Sequence, residues 1–84
     1  MEKYEVDISE LKKIMVEQNL ENIMDLSSAS EVDKGTLVRV LNGYAKPSTT
    51  VIEKLVFALH IPPEKAGAIF FSVNLRNVQE TKTF

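Results

Sequence analysis

Residues 22–46, NIMDLSSASEVDKGTLVRVLNGYAK, constrain the fold more than any other stretch of the chain. Their pattern predicts two short helices joined by a tight turn. Leu37 and Val40 are three residues apart and therefore share one helix face. Asp33 offers a short acceptor for the start of the second helix, and Gly43 ends it because glycine tolerates the left-handed conformation. The positions predicted to face inward are Leu26, Val32, Leu37 and Val40.

Two further helices are predicted from their starting signals. Asp7 and Glu10 have the spacing of a capping box, so a first helix should run from there to about Asn19. Thr50 and Glu53 repeat this spacing ahead of the most apolar stretch of the chain. We therefore expect the helix that follows Thr50 to be central in the core.

A fifth helix is predicted over residues 64–71, because two prolines precede it and proline suits the first helical turn. The chain then divides into an N-terminal arm (1–7), a helical domain (8–71) and a C-terminal tail (72–84). We expect the arm to be a frayed tail rather than an edge strand. The C-terminal tail begins with an alternating stretch that suits a short strand or a dimerisation segment, and residues 79–84 are expected to be disordered.

Composition narrows the class of protein. The 84 residues suffice for one domain with a modest core. The chain has no cysteine, which excludes disulfides and thiolate sites, and the single histidine, His60, is predicted to cap a helix rather than bind metal. No phosphate-binding glycine loop or metal-ligand cluster points to an enzyme or to a cofactor. No apolar run has membrane-spanning length and the acidic start is not a signal peptide, so we expect a cytoplasmic protein.

Charge is divided unevenly along the chain, although the net charge is only −2. Residues 1–33 carry nine acidic and three basic side chains, a net charge of −6. Residues 34–84 carry three acidic and seven basic side chains, a net charge of +4. The sign changes where the second helix of the central pair begins. A basic face on a near-neutral domain can neutralise phosphates, and an ordinary solvated surface of uneven sign is the alternative.

The central pair resembles the helix-turn-helix of the phage repressor and Cro family, the lambda-repressor-like domains. The resemblance covers about residues 8–61 and implies an all-α, five-helix domain. Glu31 departs from the family pattern, which has glycine there, and a non-glycine residue at positive φ is disfavoured. Ile23 also departs, since many members carry a DNA-contacting glutamine at that position. The resemblance is carried by Leu26-Ser27, Val32, Leu37, Val40, Asn42-Gly43 and Pro47.

This resemblance implies a sequence-specific regulator that binds operator DNA with its third helix. Side chains near the start of such a helix reach base edges in the major groove, and Arg39 can pair with guanine. Asn22 stands at a helix N-terminus, which suits a phosphate. Tyr44 is left open between a sugar-phosphate contact and a role in covering the core. The residues predicted to contact DNA are Asn22, Lys34, Gly35, Thr36, Val38, Arg39, Asn42, Lys46, Ser48 and Thr49.

The apolar C-terminal region is predicted to form a homodimer surface, by analogy with self-association in the family. The alternative is that it folds back over its own domain. The residues predicted for that surface are Phe70, Phe71, Val73 and Leu75.

Two functions other than direct regulation of an operator stay open, an antirepressor and an antitoxin. The acidic first third favours a protein-binding modulator of another repressor, an antirepressor, built on the same fold. The second alternative is an antitoxin, which would bind both DNA and a toxin.

Overall fold

Five helices form the body of the domain, as predicted, and the computed structural model describes residues 4–73. The helices are α1 (Ile8–Glu17), α2 (Ile23–Ser30), α3 (Lys34–Leu41), α4 (Thr49–Leu59) and α5 (Pro63–Phe70). Two short strands, β1 (Tyr4–Glu5) and β2 (Ser72–Val73), pair antiparallel, with Tyr4 opposite Val73. Across residues 4–73, no helix combines the length and the apolar character needed to cross a bilayer. Leu75 and residues 79–84, for which we made predictions, lie outside the described residues.

The core receives side chains from all five helices. Leu26, Val32, Leu37 and Val40, which the sequence pattern directs inward, are all buried. Burying one such aliphatic side chain stabilises the fold by about 2 kcal/mol, so these contacts hold α2 and α3 against the rest of the domain. The other buried apolar residues are Leu11, Ile14, Met15, Leu41, Leu55, Leu59, Ile61, Ile69 and Phe70.

Three helix starts follow the predicted caps. The side chain of Asp7 accepts a hydrogen bond from the backbone N–H of Glu10 at the start of α1. Asn22 accepts from the second residue of α2, and Asp33 accepts from the third residue of α3. Each cap satisfies a backbone donor that has no partner within its own helix.

The predicted start of α4 is wrong by two residues. Ser48, not Thr50, caps this helix, and its Oγ accepts from the backbone N–H of Val51. Residues 48–50 all carry hydroxyl groups that could serve as caps, so local chemistry does not choose among them. The earlier start places Val51 and Ile52 in the first turn, where both pack against the core.

The end of α1 differs from the prediction, whereas the end of α4 agrees with it. The first helix ends at Glu17 rather than near Asn19, and Asn19 takes the left-handed conformation with φ of 60°. The next residue, Leu20, donates its N–H to the Met15 carbonyl and packs against the core. His60 is the C-cap of α4, which confirms its predicted capping role.

The two ends of the domain meet, which corrects two predictions. β1 lies within the N-terminal arm that we expected to be a frayed tail, and the Asp7 N–H donates to the Ile69 carbonyl at 2.7 Å. The arm is therefore held by a segment from the other end of the chain. Phe70, predicted for a dimer surface, is only 3% exposed and belongs to the core of its own domain. Phe71 is half exposed, and the backbone of Val73 pairs within the two-stranded sheet.

Candidate nucleic-acid interface

The turn between α2 and α3 is fixed by two serine side chains. Ser27 Oγ donates to the carbonyl oxygen of Val32 at 2.6 Å. Ser30 Oγ donates to the Leu26 carbonyl at 2.7 Å and accepts from the N–H of Val32 at 3.2 Å. Both backbone polar groups of the buried Val32 are therefore paired, as burial requires. These bonds connect the last residues of α2 to the turn that leads into α3.

Glu31 adopts the left-handed conformation that the resemblance assigns to a glycine. Its φ is 62° and its ψ is 29°, and its N–H donates to the Ser27 carbonyl at 2.8 Å. Lys54 Nζ lies 3.5 Å from the Glu31 carbonyl oxygen and donates to it. A side chain in this region of φ and ψ costs about 1 kcal/mol, which the bonds around the turn must offset. The departure from glycine thus changes the energy of the turn and not its form.

One face of α3 is buried in the core and the opposite face is exposed to solvent. Leu37 and Val40 point into the core, whereas Lys34, Val38 and Arg39 are exposed. Thr36, predicted to point outward, is mostly buried. We call the exposed residues Lys34, Gly35, Val38 and Arg39 the outward face of α3.

Gly35 lies close to the side chain that caps α3. A Cβ at this position would lie 3.0 Å from the capping Oδ2 of Asp33, which is tighter than an ordinary contact. A side chain at this position would require the Asp33 carboxylate to shift by a few tenths of an ångström, and glycine itself lowers helix propensity by about 1 kcal/mol. It also leaves the backbone of the outward face open to a ligand.

The loop after α3 turns back against the end of that helix. Gly43, with φ of 80°, donates its N–H to the Val40 carbonyl, and the N–H of Tyr44 donates to the Arg39 carbonyl at 2.8 Å. The side chain of Tyr44 is 80% exposed, so the alternative that it covers the core is wrong. Lys46 is also exposed. The loop therefore presents a phenol and an ammonium group close to the end of α3.

Some of the side chains predicted to contact DNA already accept a capping hydrogen bond within the domain. Asn22 is exposed, but its Oδ1 already accepts from the N–H of Met24, which leaves the amide nitrogen as the outward donor. The hydroxyl of Ser48 accepts from Val51 as the α4 cap. Thr49 and Asn42 are exposed.

Comparisons with protein-family models, with curated proteins and with solved structures find no match to this chain. The support for a function comes from the geometry described above. A fixed turn holds α3, whose outward face carries two cations, and an exposed loop follows it.

Sequence reasoning missed one feature beside this face. A groove of about 360 Å³ lies between α1, the start of α2 and α3. Val16 is 55% exposed there and Val38 is 42% exposed. The missed signal is the surplus of apolar residues in α1, since Val16 directly follows the buried pair Ile14 and Met15. The groove is lined by Lys12, Met15, Val16, Glu21, Ile23, Val38, Leu41 and Asn42.

Proposed function

We propose that this protein is a sequence-specific DNA-binding transcriptional regulator of the lambda-repressor-like family, with α3 as its recognition helix. The observation that carries the proposal is the division of α3 into two faces. Leu37 and Val40 anchor one face in the core, and the other presents Lys34 and Arg39 to solvent. A helix anchored in this way can enter the major groove of double-stranded DNA without losing its place in the domain.

Base contacts are assigned to the outward face of α3. Arg39 donates two parallel hydrogen bonds to O6 and N7 of a guanine, the geometry that a guanidinium group matches best. Val38 contacts the methyl group of a thymine, because its side chain offers only apolar atoms. Lys34 meets a guanine or a phosphate, and Gly35 lets the backbone approach the groove. Thr36 is mostly buried and reaches a base only at the edge of this face.

Contacts to the phosphates of the DNA backbone surround the outward face, and they position the domain without specifying sequence. Lys46 and Asn42 meet phosphates beside the end of α3, and the Thr49 hydroxyl does so at the start of α4. The N-terminus of α2, capped by Asn22, directs backbone N–H groups at another phosphate. Ser48 supports these contacts by capping α4, since its hydroxyl accepts from Val51.

The mechanism we propose is occlusion of a promoter by a homodimer. Two recognition helices about 34 Å apart fit successive major grooves on one side of the duplex. The dimer surface is assigned to Phe71, which is half exposed, and to the segment that contains Val73 and Leu75. We predict that the sedimentation-equilibrium mass rises from monomer to dimer with concentration, and that Phe71→Ser shifts this transition to higher concentration. A monomer at every concentration would contradict the dimer.

The function is tested by measuring binding to the DNA that flanks the protein's own gene, by fluorescence anisotropy across a salt series. Arg39→Ala should cost about 1–3 kcal/mol of binding free energy and relax the preference at one base pair. Arg39→Lys keeps the charge but loses the paired hydrogen bonds, so it should lose specificity with less loss of affinity. Lys46→Ala should weaken all sequences alike and lower the salt slope by about one.

The matched control is Lys65→Ala, which removes a cation from α5 and leaves every residue of the proposed DNA contact unchanged. Lys65 lies 3.9 Å from a carboxylate oxygen of Glu10 at the surface, a pair of little energetic weight. This variant should bind DNA as the wild type does. Binding that is absent at low salt, or that is unchanged by both Arg39→Ala and Lys46→Ala, would refute the proposed function.

A further inference from the structure

An asparagine followed by a glycine stands at the end of α3. Asn42 is the C-cap of this helix, and Gly43 is the next residue. The other four asparagines of the chain are each followed by leucine, isoleucine or valine. Glycine has no Cβ, so its backbone nitrogen is less hindered and its dihedral angles are less restricted than those of the other three residue types. The Asn42 amide therefore has a neighbouring nucleophile that no other asparagine in the sequence has.

The surroundings of this junction leave both groups accessible. Asn42 is exposed, and no hydrogen bond within residues 4–73 holds its side chain. Gly43 lines a cleft at the surface, beside residues of the N-terminal arm. A Cβ placed on Gly43 would meet only Ile8 Cδ1, at 3.8 Å, among the described residues. Water therefore reaches the amide, and packing does not enclose the glycine nitrogen.

Local hydrogen bonds slow a reaction between these two groups without preventing it. The ψ of Asn42 is 3°, at which the Gly43 nitrogen eclipses the Asn42 nitrogen, so attack on the side chain requires rotation about ψ. This rotation breaks the bond from the Gly43 N–H to the Val40 carbonyl, which is 3.1 Å long, and displaces the bond from the Tyr44 N–H to the Arg39 carbonyl. Both bonds lie at the end of a helix, where opening costs least.

We propose that Asn42 is a self-modification site, at which the Gly43 nitrogen and water convert the side-chain amide into a carboxylate. The Gly43 nitrogen bonds to Asn42 Cγ, the Cγ–Nδ2 bond breaks, and the proton of the attacking nitrogen leaves with the ammonia. One water molecule then opens the resulting succinimide ring at either of its carbonyl carbons. The products are ammonia and either aspartate, with the original backbone, or isoaspartate, in which the chain runs through the side chain.

The new carboxylate stands on the surface proposed for DNA. Asn42 is assigned to a phosphate, and a negative charge at this position repels phosphate instead of donating a hydrogen bond to it. The charge also lies at the C-terminal end of α3, where the helix dipole disfavours it. Conversion should therefore weaken binding to every DNA sequence, so that an older molecule releases DNA that a new one holds. This consequence rests on the proposed function, whereas the chemistry at Asn42 does not.

The chemistry is tested on the full chain, incubated for days in mildly alkaline buffer and then digested with trypsin. Trypsin places Asn42 in peptide 40–54 and Asn19 in peptide 14–34. Asn19 is the matched internal control, since it is also exposed just after a helix but is followed by Leu20. Mass spectrometry should show conversion at Asn42 at least about tenfold faster than at Asn19, because only Asn42 precedes a residue without a Cβ. Conversion of Asn42 no faster than that of Asn19 would overturn the proposal.

The route of the reaction is tested by its products and by its pH dependence. Aspartate and isoaspartate peptides of equal mass should elute separately, because water opens the succinimide at either carbonyl carbon. The rate should be higher in mildly alkaline than in mildly acidic buffer, because the Gly43 nitrogen loses its proton as it attacks. Aspartate as the sole product, or a rate that does not rise with pH, would exclude attack by Gly43. Asn42→Gln should react far more slowly, since its longer side chain must close a larger ring.

The consequence for DNA is tested with Asn42→Asp, which carries the product side chain from the start. Fluorescence anisotropy should show that it binds every sequence about tenfold more weakly than fresh wild type. Wild type should lose affinity as conversion proceeds, whereas Asn42→Gln should keep its own starting affinity over the same incubation. Unchanged binding by Asn42→Asp would overturn the effect on DNA.

The modification site and the proposed function can fail separately. Conversion at Asn42 in a protein that binds no DNA upholds the modification site and refutes the proposed function. DNA binding by a protein whose Asn42 keeps its amide as long as Asn19 does upholds the function and refutes the modification site.

Discussion

The ends of α2 and α3 reach the left-handed conformation by different means. After α3 the left-handed residue is Gly43, with φ of 80°, and glycine adopts this conformation without steric cost. At the end of α2 it is Glu31, with φ of 62°, which carries a strain of about 1 kcal/mol. Only at Glu31 do two serine side chains, Ser27 and Ser30, bond to the backbone of the next residue. Side-chain hydrogen bonds can therefore hold a turn for which the residue itself is poorly suited.

The α2–α3 turn and the α3–α4 loop also differ in length and in burial. The turn at Glu31 sets the angle between α2 and α3, and its next residue, Val32, is buried. The connection after Gly43 is longer, runs over the surface and exposes Tyr44. A short turn with a buried residue must satisfy every backbone group within the protein, whereas an exposed loop can leave groups to water.

The largest effect is expected from Ser30→Ala, which removes the acceptor of the buried Val32 N–H. This change should lower the free energy of unfolding by about 1–3 kcal/mol, because an unpaired buried donor loses its bond to water without a replacement. Urea unfolding measures the loss. Ser28 is two residues earlier in α2 and is exposed. Ser28→Ala should therefore change the free energy of unfolding by less than about 0.5 kcal/mol. Equal losses of stability in Ser30→Ala and Ser28→Ala would show that the serine hydrogen bonds do not stabilise the turn.

Gly43→Ala should have the next largest effect. A Cβ there would lie 3.8 Å from Ile8 Cδ1, an ordinary contact, so the cost is conformational and not steric crowding by a neighbour. The free energy of unfolding should fall by about 1 kcal/mol, the left-handed penalty less the entropy that alanine removes from the unfolded chain. Thermal and urea unfolding measure it. A stabilised variant would show that this loop readjusts and that the comparison with Glu31 does not hold.

The smallest effect, and of opposite sign, is expected from Glu31→Gly. Relief of the left-handed strain should exceed the added entropy of the unfolded chain, which raises the free energy of unfolding by about 0.5 kcal/mol. The bond from Lys54 is to the Glu31 backbone carbonyl and is retained. As a control, Glu53→Gly inside α4 should instead destabilise by about 1 kcal/mol. A loss of stability in Glu31→Gly would show that no strain exists at this turn.

Features that depend on neighbours in sequence were predicted well. The caps at Asp7, Asn22 and Asp33 each bond to a backbone N–H two or three residues away, so residue type and spacing suffice to find them. The buried faces of α2 and α3 follow from apolar spacing in the same way. Lys34, Val38 and Arg39 lie on the opposite face of α3, and the same spacing predicts that they are exposed.

Features that depend on distant segments were missed. The pairing of β1 with β2 joins the two ends of the domain. No local pattern in the N-terminal arm indicates which segment it pairs with. Ser48 rather than Thr50 caps α4, and the residues that follow, Val51 and Ile52, pack against the core. The groove beside α3 depends on how α1 crosses it, which the spacing within either helix does not specify.

The sequence by itself determined five helices, most of their starts, and the residues of α2 and α3 that are buried. It could do so because hydrogen bonds at helix ends and the period of apolar residues act over a few positions. Only the tertiary structure decided that Phe70 is a core residue, that Tyr44 is exposed, and that Val16 and Val38 share one groove. Each of these depends on which surface a side chain meets after the helices pack, and that is a property of the whole domain.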